Sequence, residues 1–146
     1  MTINVYTDAS YFWQKDIAAC GHAIINKGDV LSHSVIKVEK IKSVYHAEFY
    51  SICYGLQKAF LVKDVSVVNI YSDSESALHI CKTKKNKSGF GLSMLFDEYL
   101  ELIEIYEEYN IEVHFLKVKA HNGDYFNNMV DRSSRKYLRE HLKNIK

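Results

Sequence analysis

Polar and apolar positions alternate along "INVYTDAS", which predicts a first strand with Val5 and Thr7 on one face and Tyr6 and Asp8 on the other. "ACGHAIIN" and "DVLSHSVIKV" read as two further strands parted by the turn "KGD". From Ser43 the period changes. Tyr45, Phe49, Ile52, Cys53, Leu56 and Phe60 recur at helical spacing, which predicts an amphipathic helix over 43–63. "VSVVNIYS" is a mostly apolar run of strand length, and a short helix "DSESALHICK" follows it. Beyond the loop "TKKNKSGFG", a helix sets Asp97, Glu101, Glu104 and Glu108 against Leu95, Leu102, Ile103 and Tyr106. "IEVHFLKV" alternates as a half-buried strand, and a helix from Tyr125 onward closes the chain.

The order βββαβαβα predicts an α/β fold: a three-strand meander, then crossovers that add parallel strands to a mixed sheet. Neither proline nor a long Gly/Ser-rich stretch marks an internal boundary. At 146 residues one domain spanning 1–146 is expected. "NVYTDAS" and "NIYSDSE" share their Asn-x-Tyr-x-Asp core, yet their flanks differ, so they are not a tandem repeat.

Composition narrows the class. With 47% hydrophobic and 25% charged residues the chain reads as globular, and its apolar runs are too short for a membrane span. The N-terminus enters a strand pattern directly, without the regions of a signal peptide. Cys20, Cys53 and Cys81 are widely spaced and form no CxxC pair, which argues for reduced thiols in an intracellular compartment and against a zinc ribbon. The net charge of +1 gives no global positive field. Local basic stretches exist: Lys82, Lys84, Lys85 and Lys87, then Arg132, Arg135, Lys136, Arg139, Lys143 and Lys146. These suit phosphate-backbone binding as well as they suit solvated surface.

Four carboxylates change the picture only when taken together. Asp8 alone is an ordinary turn former at a strand end. Asp73 alone fits the first turn of a helix capped by Ser72 with Glu75 as a capping box. Asp131 has Arg135 four residues on as a plain ion-pair partner. Glu48 is harder to dismiss: it borders the apolar stripe with no cation one helical turn away, so solvent or a partner from elsewhere, such as a bound cation, must satisfy it. If the first and fourth strands are parallel neighbours, Asp8 and Asp73 emerge side by side where open α/β sheets tend to place their sites. Glu48 and Asp131 can then join from helices. Four converging carboxylates repel unless cations neutralise them, and oxygen ligands favour Mg²⁺ or Mn²⁺ over zinc.

With "VYTDAS", "HAEFYSICYGL", "IYSDSESAL" and "VKAHNGDYFNNMVDRSSRK" in this order, the sequence resembles the ribonuclease H family, type I. The last element carries His121, Gly123, Asn127 and Asp131 at H-x-G-x3-N-x3-D spacing and is the most specific of the four. The resemblance implies a five-stranded sheet of order 3-2-1-4-5 and hydrolysis of the RNA strand of an RNA–DNA hybrid. Asp8, Glu48, Asp73 and Asp131 would hold two Mg²⁺ (with Mn²⁺ as a substitute), about 3.5–4 Å apart as in other two-metal sites. One would activate a water and the other would stabilise the leaving 3′ oxygen, giving 5′-phosphate and 3′-hydroxyl ends. His121 matches the mobile histidine that assists proton transfer or product release, and Asn127 the asparagine near the scissile phosphate. Ser10 and Ser74 would contact substrate. The preference for a hybrid fits the 2′-hydroxyls that mark an RNA strand in the minor groove.

Some positions depart from the family pattern. Ala9 replaces a glycine, "YFWQKDIA" with Trp13 replaces a glycine/proline turn, and "SVYH" with Tyr45 replaces asparagines before the helix glutamate. A basic loop, "KTKKNKSG", stands where many bacterial members carry a Trp-containing protrusion helix. Two other readings stay open: a catalytically weak nucleic-acid-binding module of the same fold, and a related metal-dependent DNA nuclease. A cytoplasmic monomer is expected.

Overall fold

The computed structural model describes residues 1–86, 93–118 and 124–143. Five strands form one sheet: β1 (Thr2–Phe12), β2 (Ile17–Asn26), β3 (Asp29–Val38), β4 (Val67–Ser72) and β5 (Glu112–Lys117). Four α-helices accompany them: α1 (Val44–Phe60), α2 (Glu75–Thr83), α3 (Ser93–Glu108) and α4 (Tyr125–Lys143). The sheet order is β3-β2-β1-β4-β5, antiparallel across the meander and parallel at β1–β4 and β4–β5. This is the mixed α/β sheet expected from the sequence. α2 and α3 follow β4 as two separate helices, as the two runs predicted, so the order is βββαβααβα rather than βββαβαβα.

Local chemistry explains the joints. Lys27 and Gly28 both adopt positive φ, 49° and 84°, between the register partners Asn26 and Asp29. Such a two-residue turn matches the twist of a hairpin, and glycine takes its second position without strain. The Ser43 side chain accepts from His46 N–H and starts α1. Asn4 and Asn69 are register partners on β1 and β4 and share a 3.0 Å hydrogen bond between side chains 65 residues apart. Tyr6 and Tyr71, the next outward pair, stack at 4.7 Å and 11°.

The two faces of β1 are covered by different helices. Val5 and Thr7 lie against Gly55 of α1, whereas Tyr6 lies against Phe126 of α4 at 5.6 Å. Ile3, Val5, Ile24, Phe49, Ile52, Leu56, Val68, Ile70 and Tyr99 form the main core. β2 is buried along almost its whole length, since α1 and α4 both pack on it. Cys20, Cys53 and Cys81 are free and buried. Tyr45, counted above among the apolar stripe of α1, is 41% exposed; it sits in the first turn, before the helix has reached the sheet.

Candidate active site

The offset that aligns Asn4 with Asn69 and Tyr6 with Tyr71 also aligns Asp8 with Asp73. The parallel ladder stops at the tyrosines, so the two aspartates stand at the fork where β1 and β4 separate. The sequence suggested that both strands end at their aspartates. β4 does, one residue earlier, at Ser72, but β1 runs four residues beyond Asp8, paired with β2 to Phe12. Asp8 is therefore a tip only toward β4; its backbone stays fixed on the other side by the antiparallel ladder.

Glu48 arrives from the second turn of α1. Carboxylate oxygens of Asp8, Glu48 and Asp73 all lie within 4.8 Å of one another. Ser51, one turn beyond Glu48, donates from Oγ to the Asp8 carbonyl at 2.9 Å and locks helix to strand at this point. Asp131 of α4 stands outside that trio but lies close enough to Asp8 to raise its pKa, and its Oδ1 lies 3.1 Å from Arg135 Nε. The plain ion pair and the reach into the cluster thus coexist, because Asp131 has two oxygens.

The electrostatics follow from crowding. Asp8 is only 5% exposed. Burial, then the charge of Asp73 and contact with Asp131, push its pKa up to about 8. Burial, then the charges of Asp8, Asp73 and Asp131, hold Glu48 well above the ordinary carboxylate range. Glu48 Oε2 is fully enclosed and has no hydrogen-bond partner among the described residues. A buried acceptor without a donor is costly. An all-oxygen set with one orphaned oxygen and mutually repelling charges fits a hard divalent cation.

The remaining predicted positions fall as follows. The capping box is corrected: Ser74, not Ser72, is the N-cap of α2, its Oγ accepting from Ala77 N–H at 3.2 Å. Ser72 Oγ instead accepts from Ser74 N–H at 3.1 Å, so Asp73 precedes the helix rather than entering its first turn. The reason is that β4 still pairs with β5 through Ser72, which leaves too little chain to start a helix there. Ser74, proposed as a substrate contact, thus has its hydroxyl engaged in capping. Ser10 is half-buried in β1 opposite Ala19. Asn127 is buried in the first turn of α4, its Oδ1 without a partner among the described residues. His121 lies outside the described residues. Trp13 forms a short 3-10 turn with Gln14 and Lys15 between β1 and β2 and is 70% exposed. Of the stretch read as a basic loop, Lys82 belongs to the last turn of α2 and Lys84 ends it in a left-handed conformation; Lys87 lies outside the described residues.

Residue-by-residue reading missed Gly21, Gly55 and Ser51. An added Cβ at Gly55 would lie 2.7 Å from Thr7 Cγ2, so the glycine brings α1 close to the strand that carries Asp8. Isolated glycines inside strand or helix patterns were the available signal for such close approach.

The RNase H family model matches residues 1–139. The chain belongs to the RNase H family. Solved structures agree in fold. RNase H1 from the halophilic archaeon Halobacterium salinarum NRC-1 is similar with a TM-score of 0.76 at 13% identity, covering 96% of this chain and 99% of that one. The N-terminal RNase H domain of Rv2228c from Mycobacterium tuberculosis, solved as a fusion with maltose-binding protein, is similar with a TM-score of 0.75 at 14% identity, covering 93% and 98%. No curated protein sequence matches significantly. Membership of the RNase H family supports a nuclease, and the family generally uses divalent metals, for which Asp8, Glu48 and Asp73 offer an acidic cluster. Among the described residues no helix is long and apolar enough to cross a membrane.

Proposed function

We propose that this chain, acting as a single RNase H domain, is a Mg²⁺-dependent endoribonuclease that hydrolyses the RNA strand of RNA–DNA hybrids by a two-metal mechanism. The observation that carries this reading is the convergence of Asp8, Glu48 and Asp73 within 4.8 Å, with Glu48 Oε2 enclosed and unsatisfied. Asp131, in contact with Asp8 from the opposite helix, extends the acidic set.

Asp8, Glu48, Asp73 and Asp131 would hold the cations. When bound, divalent cations neutralise phosphate charge, lower the pKa of water and stabilise a leaving oxygen. The chain's own residues supply the frame. The β1–β2 ladder and Ser51 fix the Asp8 backbone, so its carboxylate keeps one orientation. Asp8 and Glu48 carry protons readily while no cation is present and must release them for ligation. Asn127 is assigned a place near the scissile phosphate on the family resemblance; its carboxamide oxygen is buried at the start of α4 without a partner among the described residues. His121 is assigned proton transfer or product release on the family resemblance.

The test is incubation with Mg²⁺ and end-labelled RNA–DNA hybrid, duplex DNA or single-stranded RNA, beside Asp73→Asn. Cleavage of the hybrid's RNA strand alone, lost in the variant, is expected. Binding without cutting would transfer the chain to the class of nucleic-acid-binding modules, and cleavage of duplex DNA to the metal-dependent DNA nucleases.

A further inference from the structure

Beside the acidic cluster, on the outer side of α4, Tyr125, Asn128, Asp131 and Arg132 line a hollow of about 420 Å³. That volume lies within the range of small-ligand pockets. Three features give it a chemical preference. Arg132 makes no ion pair among the described residues, while the negative charge of Asp131 is already met by Arg135 at 3.1 Å. The hollow therefore keeps one uncompensated positive charge. Tyr125 is 66% exposed, yet its ring is braced edge-on by Phe126 at 5.2 Å and 87°, and Phe126 rests on Tyr6 at 5.6 Å. An exposed aromatic ring held from behind loses little freedom when a base or sugar covers it. Asn128 adds a carboxamide that can donate and accept.

We infer that this hollow is a subsite for one nucleotide of the substrate's RNA strand, next to the scissile bond. Its phosphate pairs with Arg132, its sugar or base lies on Tyr125, and Asn128 hydrogen-bonds to a hydroxyl or base edge. The placement follows from Asp131, which lines the hollow and also touches Asp8. The subsite rests on the hybrid-hydrolase reading and adds to it a strand path along α4.

Binding of a fluorescent RNA–DNA hybrid, followed by anisotropy over a salt series without divalent cations, tests it separately from catalysis. Arg132→Met is expected to weaken binding roughly threefold to tenfold at low salt and to reduce the salt slope by about 1, one phosphate contact. Arg132→Lys restores the slope. Tyr125→Ala weakens binding about fivefold or more with the slope unchanged. Lys63→Met, in the turn after α1 at the opposite end of the sheet, changes neither. Melting temperatures confirm that these exposed-residue variants fold. If wild-type protein binds hybrid and both Arg132→Met and Tyr125→Ala match it in affinity and slope, the subsite is overturned while the hydrolase reading stands. If wild-type protein neither binds nor cleaves hybrid, both fall together.

Discussion

Asp8 and Gly21 face each other across the β1–β2 pair, and the glycine is what lets α4 reach the aspartate. A Cβ on Gly21 would lie 2.5 Å from Ser134 Oγ and 2.9 Å from Val130 Cγ1. Ser134 and Val130 flank Asp131 on the same helix. The approach of one backbone to one helix thus sets how near Asp131 comes to Asp8.

Gly21→Ala is accordingly expected to displace α4 and to cost about 1–3 kcal/mol of stability, as overpacking does. Denaturant unfolding reads the stability. Hybrid cleavage should fall more than the stability loss alone explains, because Asp131 moves with the helix. Unchanged cleavage at saturating Mg²⁺ would count against a role for Asp131.

The raised pKa values of Asp8 and Glu48 make the metal-free protein sensitive to alkali. The folded pKa of Asp8, about 8, lies above its unfolded value near 4. Between these values the folded state holds more protons, so stability falls as pH rises from about 4 to about 8. A lower melting temperature at pH 8 than at pH 6 is expected in EDTA. Mg²⁺ should raise the melting temperature more at pH 8, because ligation requires the deprotonated acids.

Asp8→Asn removes that repulsion without changing the side chain's size. In EDTA at pH 8 the variant should melt a few degrees above wild type, on the order of the shift that 1 kcal/mol gives in a chain of this length. Hybrid cleavage should be lost. A variant that melts lower than wild type would show that the crowded acids do not strain the metal-free fold.

His22 supplies an opposite pH response. Burial, then the charge of Lys58, lowers its pKa to about 4, and its ring lies between Ser32 Oγ at 3.0 Å and Ser34 Oγ at 3.1 Å. The folded pKa lies below the unfolded value of about 6.5, so this contribution is complete above pH 6.5 and is lost as pH falls toward 4. Replacing His22 with Gln should flatten the acid limb of a stability–pH profile, as measured by urea unfolding at each pH. An unchanged limb would assign acid sensitivity to other groups.

The strands and helices were legible because their periods are local. The two Asn-x-Tyr-x-Asp runs even carried the β1–β4 register, since the side chains that pair there are the ones the runs share. Asp8, Glu48 and Asp73 were legible as candidates for one acidic cluster: Glu48 stood without a local partner, and its Oε2 has none among the described residues. Ser72 misled because hydroxyl-x-x-Glu spacing is also compatible with a strand that ends one turn before its helix does begin. Tyr45 misled because helical periodicity does not say where a helix first touches the sheet.

By itself the sequence determined which residues can be ligands and which elements carry them, since side-chain chemistry and apolar period are properties of the chain. Tertiary structure alone decided that Asp8 is pinned on one side and open on the other, that Glu48 loses solvent, and that Asp131 comes close to Asp8. These depend on distances of approach set by Gly21, Gly55 and Ser51, where a missing Cβ or one hydroxyl fixes the gap between a helix and a strand far apart in sequence.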